Sequence, residues 1–358
     1  MVDNDEKKVF NCKGIAMKVV VAPQSFKGTM TAEQAAERIA VGIAGEVVLL
    51  PLADGGDGTL EVLLNVLRGD KHTAIAVDAL GREKEAAWGY VDETRTAIIE
   101  IARICGIAEL KYGEYDPCHA TSYGVGQMIL TALDFGAATV ILALGGSATN
   151  DAGAGMAQAV GVALLDSRGR EIDRGGLALA NLAEVNMSQR DPRIAETEFL
   201  VACDVNNRLI GEEGATHVYA RQKGATEEDV ERLEKAMTRF VEVAGGDIPY
   251  GGAAGGLGAG AALFLNGRVM SGVDFVLDQT EFDSCIKDAD LVVTGEGSLD
   301  AQTAYGKTPY VVGKRAKRAG KCVYAVAGRL GKGYEALLGN PFDAVYTLES
   351  WSEQVHRL

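Results

Sequence analysis

The chain is short of the residues that mark several protein classes. Its 358 residues include only 7 prolines, 9 phenylalanines, 2 tryptophans and 11 tyrosines. So little proline excludes a collagen-like chain and a proline-rich disordered one. No stretch approaches the roughly 20 apolar residues needed to cross a bilayer. Residues 1–16, MVDNDEKKVFNCKGIA, are charged and lack the apolar centre of a secretory leader. They read as a poorly ordered extension, since the first strand pattern starts at Met17. Cysteines are scattered (Cys12, Cys105, Cys118, Cys203, Cys285 and Cys322) with no CxxC pair, which points to reduced thiols in a cytoplasmic protein and away from a disulfide or zinc framework. The four histidines, His72, His119, His217 and His356, form no cluster in the sequence. Nor is there a GxxxxGK[ST] loop, so a Walker-type site is excluded.

Positive charge is also scarce. With 35 Lys and Arg against 50 Asp and Glu, the formal net charge is −15. That disfavours a nucleic-acid partner, and it obliges any anion-binding site to carry its own cations. Lys27, Lys223, Arg268 and Lys307 stand out because each lies in or beside a glycine-rich segment.

What the chain does have is glycine, 45 residues of it, against a background that is 47% hydrophobic. The length suits roughly two domains. MKVVVAP (17–23) reads as a buried parallel strand, followed by a loop and a helix that Thr31 and Gln34 open with a capping box. EVVLLPLADGGDGTLEVLLNVL repeats the plan, with a strand at 46–50 and a helix from about Thr59. Late in the chain, strands are expected at the start of 289–300 and over 321–328 and 342–349, with PYVVGKRAKRAG a helix between them. The middle third carries a strand in ATVILALGG, an amphipathic helix at 226–243 with Val230, Leu233, Met237 and Phe240 on one stripe, and glycine clusters at 251–260. These signals predict a doubly wound α/β domain over 17–80 and 285–358, with a second α/β domain, 81–284, inserted. A closing helix is expected after the last strand, and the end at SWSEQVHRL looks short for one.

Four glycine-rich segments carry the polar groups. In APQSFKGT, Lys27 either neutralises phosphate oxygens or is a solvated turn residue. In PLADGGDGT, Asp54 and Asp57 stand among Gly55, Gly56 and Gly58; this is a tight turn, or a site where bare backbone meets phosphate and carboxylates hold a cation. In LGGSATNDAGAG, Ser147, Thr149, Asn150 and Asp151 follow Gly145 and Gly146. Capping a helix needs one such residue, not four, so a substrate loop is expected there, with Asp151 a candidate base. In TGEGSLDAQTAYGK, Glu296, Asp300, Gln302 and Lys307 follow a strand, at the strand end where open α/β sheets bind ligands. Glycine loops, carboxylates and a few lysines are what phosphoryl transfer requires.

The segments APQSFKGTMTA, PLADGGDGT, TSYGVGQ, LGGSATNDAGAGMAQAVG, DVNNRLIGEEGA, RQKGA, GAAGGLGAG and TGEGSLDAQTAYGK together resemble the bacterial glycerate kinases. The resemblance runs from about Met17 to about Gly328. It implies Mg²⁺-dependent transfer of phosphate from ATP to D-glycerate, more often at the 2-hydroxyl than the 3-hydroxyl. It also implies a flavodoxin-like domain built from both chain ends, with the active site in the cleft beside the inserted domain. Within the matched segments, Ser25, Thr121 and Ser122 join Gly55, Gly56, Gly58, Gly145, Gly146, Ser147, Thr149, Asn150, Gln302 and Lys307 as substrate- or phosphate-binding residues. Lys27, Asp54, Asp151 and Asp300 are the catalytic set, and Asp54, Asp57 and Glu296 the metal set. Asp57 stands where the family more often has Glu, Gln24 where it more often has Asp, and NNR (206–208) where it more often has Asn-Pro-Leu. The expected partners are D-glycerate and ATP, with neither nucleic acid nor membrane, in a cytoplasmic monomer or homodimer. GGDGT alone also fits a nucleotide or lipid kinase, and the fold alone fits a non-catalytic sensor of glycerate or nucleotide.

Overall fold

The computed structural model describes residues 17–357, so the extension expected over 1–16, Cys12 included, lies outside the described residues. The chain forms two compact units, one from residues up to Pro51 together with Glu281 onward, the other from Leu52–Thr280. The first opens with β1 (Lys18–Pro23), α1 (Ala32–Ala40) and β2 (Glu46–Leu49). From Val19 on β1 is apolar and buried, as a strand paired on both sides must be. Thr31 caps α1: its hydroxyl accepts from Gln34 N–H at 3.2 Å, and Gln34 Oε1 accepts from Thr31 N–H at 3.0 Å.

The second unit follows. It begins with α2 (Thr59–Leu67), β3 (Asp70–Val77), β4 (Glu83–Val91) and β5 (Thr96–Glu100). Next come α3 (Ala102–Cys105), α4 (Tyr123–Asp134), β6 (Thr139–Ala143), α5 (Ala154–Ala159), β7 (Ala163–Leu165) and β8 (Glu184–Asn186). β9 (Glu198–Cys203), α6 (Ala215–Tyr219), α7 (Glu227–Ala244), α8 (Ala253–Leu265), β10 (Arg268–Ser271) and α9 (Gly272–Gln279) complete it. Its main sheet runs β10-β9-β6-β5-β4-β3, parallel from β10 to β5 and antiparallel beyond. The first boundary falls after Pro51, not near 80, because α2 packs on β4 and β5 and β3 pairs with β4.

The chain then returns with α10 (Phe282–Ile286), β11 (Leu291–Leu299), α11 (Thr308–Arg318), β12 (Cys322–Leu330), β13 (Ala344–Thr347) and α12 (Leu348–Gln354). The sheet of the first unit runs β2-β1-β11-β12-β13, all parallel. Counted within the unit this is the 2-1-3-4-5 order of flavodoxin-like folds, in which the winding reverses between β1 and β11. Ligands of such sheets bind outside the carboxyl ends of the strands at that reversal.

Two elements differ from expectation, and a third had none. β11 continues through Gly295 and Gly297, where a loop was expected. A Cβ on Gly295 would lie 2.1 Å from the carbonyl oxygen of Val326, so glycine is what lets the strand pair closely with β12. The glycine cluster at 251–260 forms a kinked entry into α8. Gly255 and Gly256 turn the chain with φ of +66° and +93°, and a Cβ on Gly260 would lie 2.4 Å from Ala152 O. Finally, α12 closes the end of the first sheet. Its buried Trp351 donates Nε1–H to Ile39 O at 2.8 Å.

Candidate active site

In the second unit two of the expected loops touch through their glycines. A Cβ on Gly145 would lie 2.2 Å from Gly56 Cα, so only glycine permits the contact. Gly55 and Gly58 have φ of +93° and +89°, which shapes the loop entering α2. Asp54, half-buried, accepts Gly56 N–H on Oδ1 at 2.9 Å. Asp57 is exposed, and its carboxylate lies beside Gly146, where a Cβ would come 3.1 Å from Oδ1.

Glu100, at the carboxyl end of β5, belongs to this arrangement and escaped the sequence reading. Its Oε2 accepts Leu60 N–H at 2.9 Å, its carboxylate also accepts from Gly58 N–H, and Arg103 lies 3.3 Å from Oε1. Burial pushes the Glu100 carboxyl up, while the two backbone bonds and Arg103 oppose the rise. The start of α2 thus holds a carboxylate of the protein itself. A charged residue inside the apolar run AIIEIA was the available signal.

The four polar residues after Gly146 are all buried, Thr149, Asn150 and Asp151 completely. Asp151 Oδ2 accepts Ser122 N–H at 2.8 Å, Ser122 O–H at 2.9 Å and Gly155 N–H at 3.2 Å. Its Oδ1 accepts Gly153 N–H at 3.1 Å. Ser122 Oγ in turn accepts Met156 N–H at 3.0 Å, and Thr121 Oγ1 accepts Tyr123 N–H at 3.2 Å. Asn150 donates Nδ2–H to Thr216 Oγ1 at 3.2 Å. Lys223, also buried, donates to Ser147 Oγ at 2.9 Å and Thr149 O at 2.7 Å. Burial pushes Asp151 up, and its hydrogen bonds oppose this. Its carboxylate is spent on the loop and on the start of α4, an arrangement suited to holding shape. Asp151→Asn would turn an amide N–H₂ towards backbone donors. Each buried group left unpaired costs about 1–3 kcal/mol. We expect the melting temperature to fall by several degrees together with activity, measured by calorimetry; a catalytic base would leave stability intact.

The first unit carries the other set. Ser25 and Lys27 lie on a tight turn closed by Phe26 and Met30, which exchange backbone hydrogen bonds at 3.0 Å, with Gly28 at φ +79°. Lys27 is exposed, and a Cβ on Gly297 of β11 would lie 3.5 Å from its backbone nitrogen. β1 and β11 thus bring these residues to the reversal point of the sheet. On the β11 side, the Lys307 ammonium lies 3.5 Å from Glu296 Oε1 and 3.7 Å from Asp300 Oδ1. Thr303 donates to Glu296 Oε1 at 3.2 Å, and Gln302 N–H to Asp300 Oδ1 at 2.8 Å. Burial pushes Glu296 up, with Lys307 and Thr303 opposing. Among the described residues no cluster of three His, Cys, Asp or Glu is spaced to hold a metal unaided.

A profile described as the glycerate kinase family matches residues 19–358. The chain belongs to the glycerate kinase family. It is 44% identical over 342 residues to a glycerate kinase of Halalkalibacterium halodurans, covering 92% of this chain and 90% of that one. It is 38% identical over 344 residues to the glycerate 2-kinase of Escherichia coli, covering 93% and 90% of the two chains. A solved structure from Salmonella typhimurium, assigned as a glycerate kinase 2, superposes with a TM-score of 0.80 at 38% identity, covering 96% of each chain. The fold of the glycerate kinases is therefore the frame on which both sets of residues are carried.

Proposed function

We propose that this chain transfers the γ-phosphoryl group of ATP to the 2-hydroxyl of D-glycerate, releasing ADP and 2-phosphoglycerate. The observation that carries the reading is the meeting of the Asp54–Gly58 and Gly145–Asp151 loops, glycine on glycine, in a chain of the glycerate kinase family. The name of the Escherichia coli relative, glycerate 2-kinase, supports the 2-hydroxyl as acceptor.

In this reading the second unit binds glycerate through its glycine loops, with Ser147, Thr149 and Asn150 shaping the pocket. Asp54 takes the proton of the attacking hydroxyl; Asp151 does not, since its carboxylate is closed from solvent and fully engaged. The hydroxyl oxygen forms the new bond to phosphorus, and the β–γ bridging oxygen leaves with ADP. Lys27 and Lys307 of the first unit neutralise the phosphates. Two carboxylates around one ammonium, as Glu296 and Asp300 stand about Lys307, are the oxygen donor set that a hard divalent cation accepts. Those two residues would hold Mg²⁺, which when bound offsets phosphate charge; Asp57, exposed, is a further carboxylate of the expected set.

No helix among the described residues is long and apolar enough to cross a membrane. The cysteines that the structure describes are free, which accords with a cytoplasmic enzyme. The test is coupled ADP release with D-glycerate, NAD and a diacylglycerol offered separately. We expect turnover on D-glycerate alone. Turnover on NAD or the lipid would overturn the reading, and glycerate binding without ADP release would make the chain a sensor.

A further inference from the structure

The reading above leaves one buried charge unused. Lys223 is 4% exposed, on the short 3-10 turn Arg221–Lys223. Two N–H groups of its ammonium go to Ser147 Oγ and Thr149 O, and among the described residues no carboxylate forms an ion pair with it. A buried cation that has no carboxylate within ion-pair distance is costly to desolvate, and its three N–H donors must be met by the groups around it. The ammonium satisfies Ser147 Oγ and the Thr149 carbonyl and so ties the short turn to that loop. Its bonds go to the loop that carries Ser147, Thr149 and Asn150, in a chain of net charge −15 whose substrates are anions.

We infer that Lys223 is a positioning residue for phosphoryl transfer: its ammonium fixes the Ser147–Thr149 backbone and gives that loop its positive charge. The inference rests on the function proposed above. The titratable groups that face it are Asp151 of the same loop and Cys105 of α3. Burial pushes the Cys105 thiol up to about 12, so it stays neutral. Burial also brings Lys223 itself down to about 8, against the raising influence of Asp151. The charged form is present below that value and is lost as pH rises through it. Activity on glycerate should then fall on the alkaline side near pH 8.

Lys223→Met tests this with the full chain. We expect kcat/KM for D-glycerate to fall by about 10²-fold or more. The melting temperature should fall by a few degrees, since Ser147 Oγ and Thr149 O lose their donor, but the alkaline limb near pH 8 should be gone from the profile, which a purely structural loss would not remove. A variant within about threefold of the parent, or one that keeps the same limb, overturns the inference. If Lys223→Met does not fold, Ser147→Ala decides: it keeps the lysine and removes one acceptor. A loss of about tenfold in kcat/KM with the fold intact supports the inference, and unchanged kinetics overturn it. An inactive parent enzyme would instead be a failure of the proposed function.

Discussion

Asp54→Asn is expected to lower turnover by about 10²-fold or more, as loss of a key charged group at a phosphoryl-transfer site does. The melting temperature should stay within about two degrees of the parent. The substitution separates the turn role that the structure shows for Asp54 from the proton-accepting role proposed for it. Asparagine keeps the Oδ1 acceptor that receives Gly56 N–H at 2.9 Å, so the turn survives. What it removes is the negative charge and the basic oxygen. If PLADGGDGT were only a turn, the variant would be nearly silent. Asp57→Asn is expected to cost less, because Asp57 is exposed where Asp54 is half-buried. Steady-state rates with glycerate and ATP, beside a thermal melt, settle the point. An Asp54→Asn enzyme within about threefold of the parent would return the segment to a structural turn.

The second large effect belongs to the first unit. Lys307→Met is expected to reduce kcat by about 10²-fold, because it removes the cation that faces both Glu296 and Asp300. A second consequence follows from charge. Burial already pushes the Glu296 carboxyl up, and Lys307 is the largest influence holding it down. Without the lysine the carboxyl should titrate at higher pH, so the acid limb of the pH–rate profile should move upward. Raised Mg²⁺ should restore part of the activity, since a divalent ion can then offset the paired carboxylates. A small kinetic change with an unmoved acid limb would remove Lys307 from the reaction.

The sequence announced its elements well where local chemistry decided them. β1 reads as buried because its run is apolar from Val19, Thr31 and Gln34 spell their capping box, and α7 shows its stripe of Val230, Leu233, Met237 and Phe240. It was less legible where distant backbone decided. The glycine clusters at 251–260 pointed to no element, because glycine is a poor helix former. They kink the chain into α8, and Thr149 and Ala152 leave no room for a Cβ at Gly255, Gly256 and Gly260. Gly295 sits in a strand for the same reason. The candidate site was partly readable in the same way. The two glycine loops stood out, whereas the burial of Asp151 did not, because four polar residues among five positions look the same whether they face a ligand or one another. Glu100 was hidden for a related reason: its partners, the N–H groups of Gly58 and Leu60, lie some 40 residues away.

The most direct test of the account is the identity of the product. Purified enzyme should be incubated with ATP, Mg²⁺ and D-glycerate, and the mixture followed by phosphorus NMR against authentic 2- and 3-phosphoglycerate. The account predicts stoichiometric ADP and a single phosphomonoester whose coupling to one proton places the phosphate on the secondary carbon. No phosphomonoester despite saturable binding of D-glycerate would contradict it, as would a phosphate attached to the primary carbon.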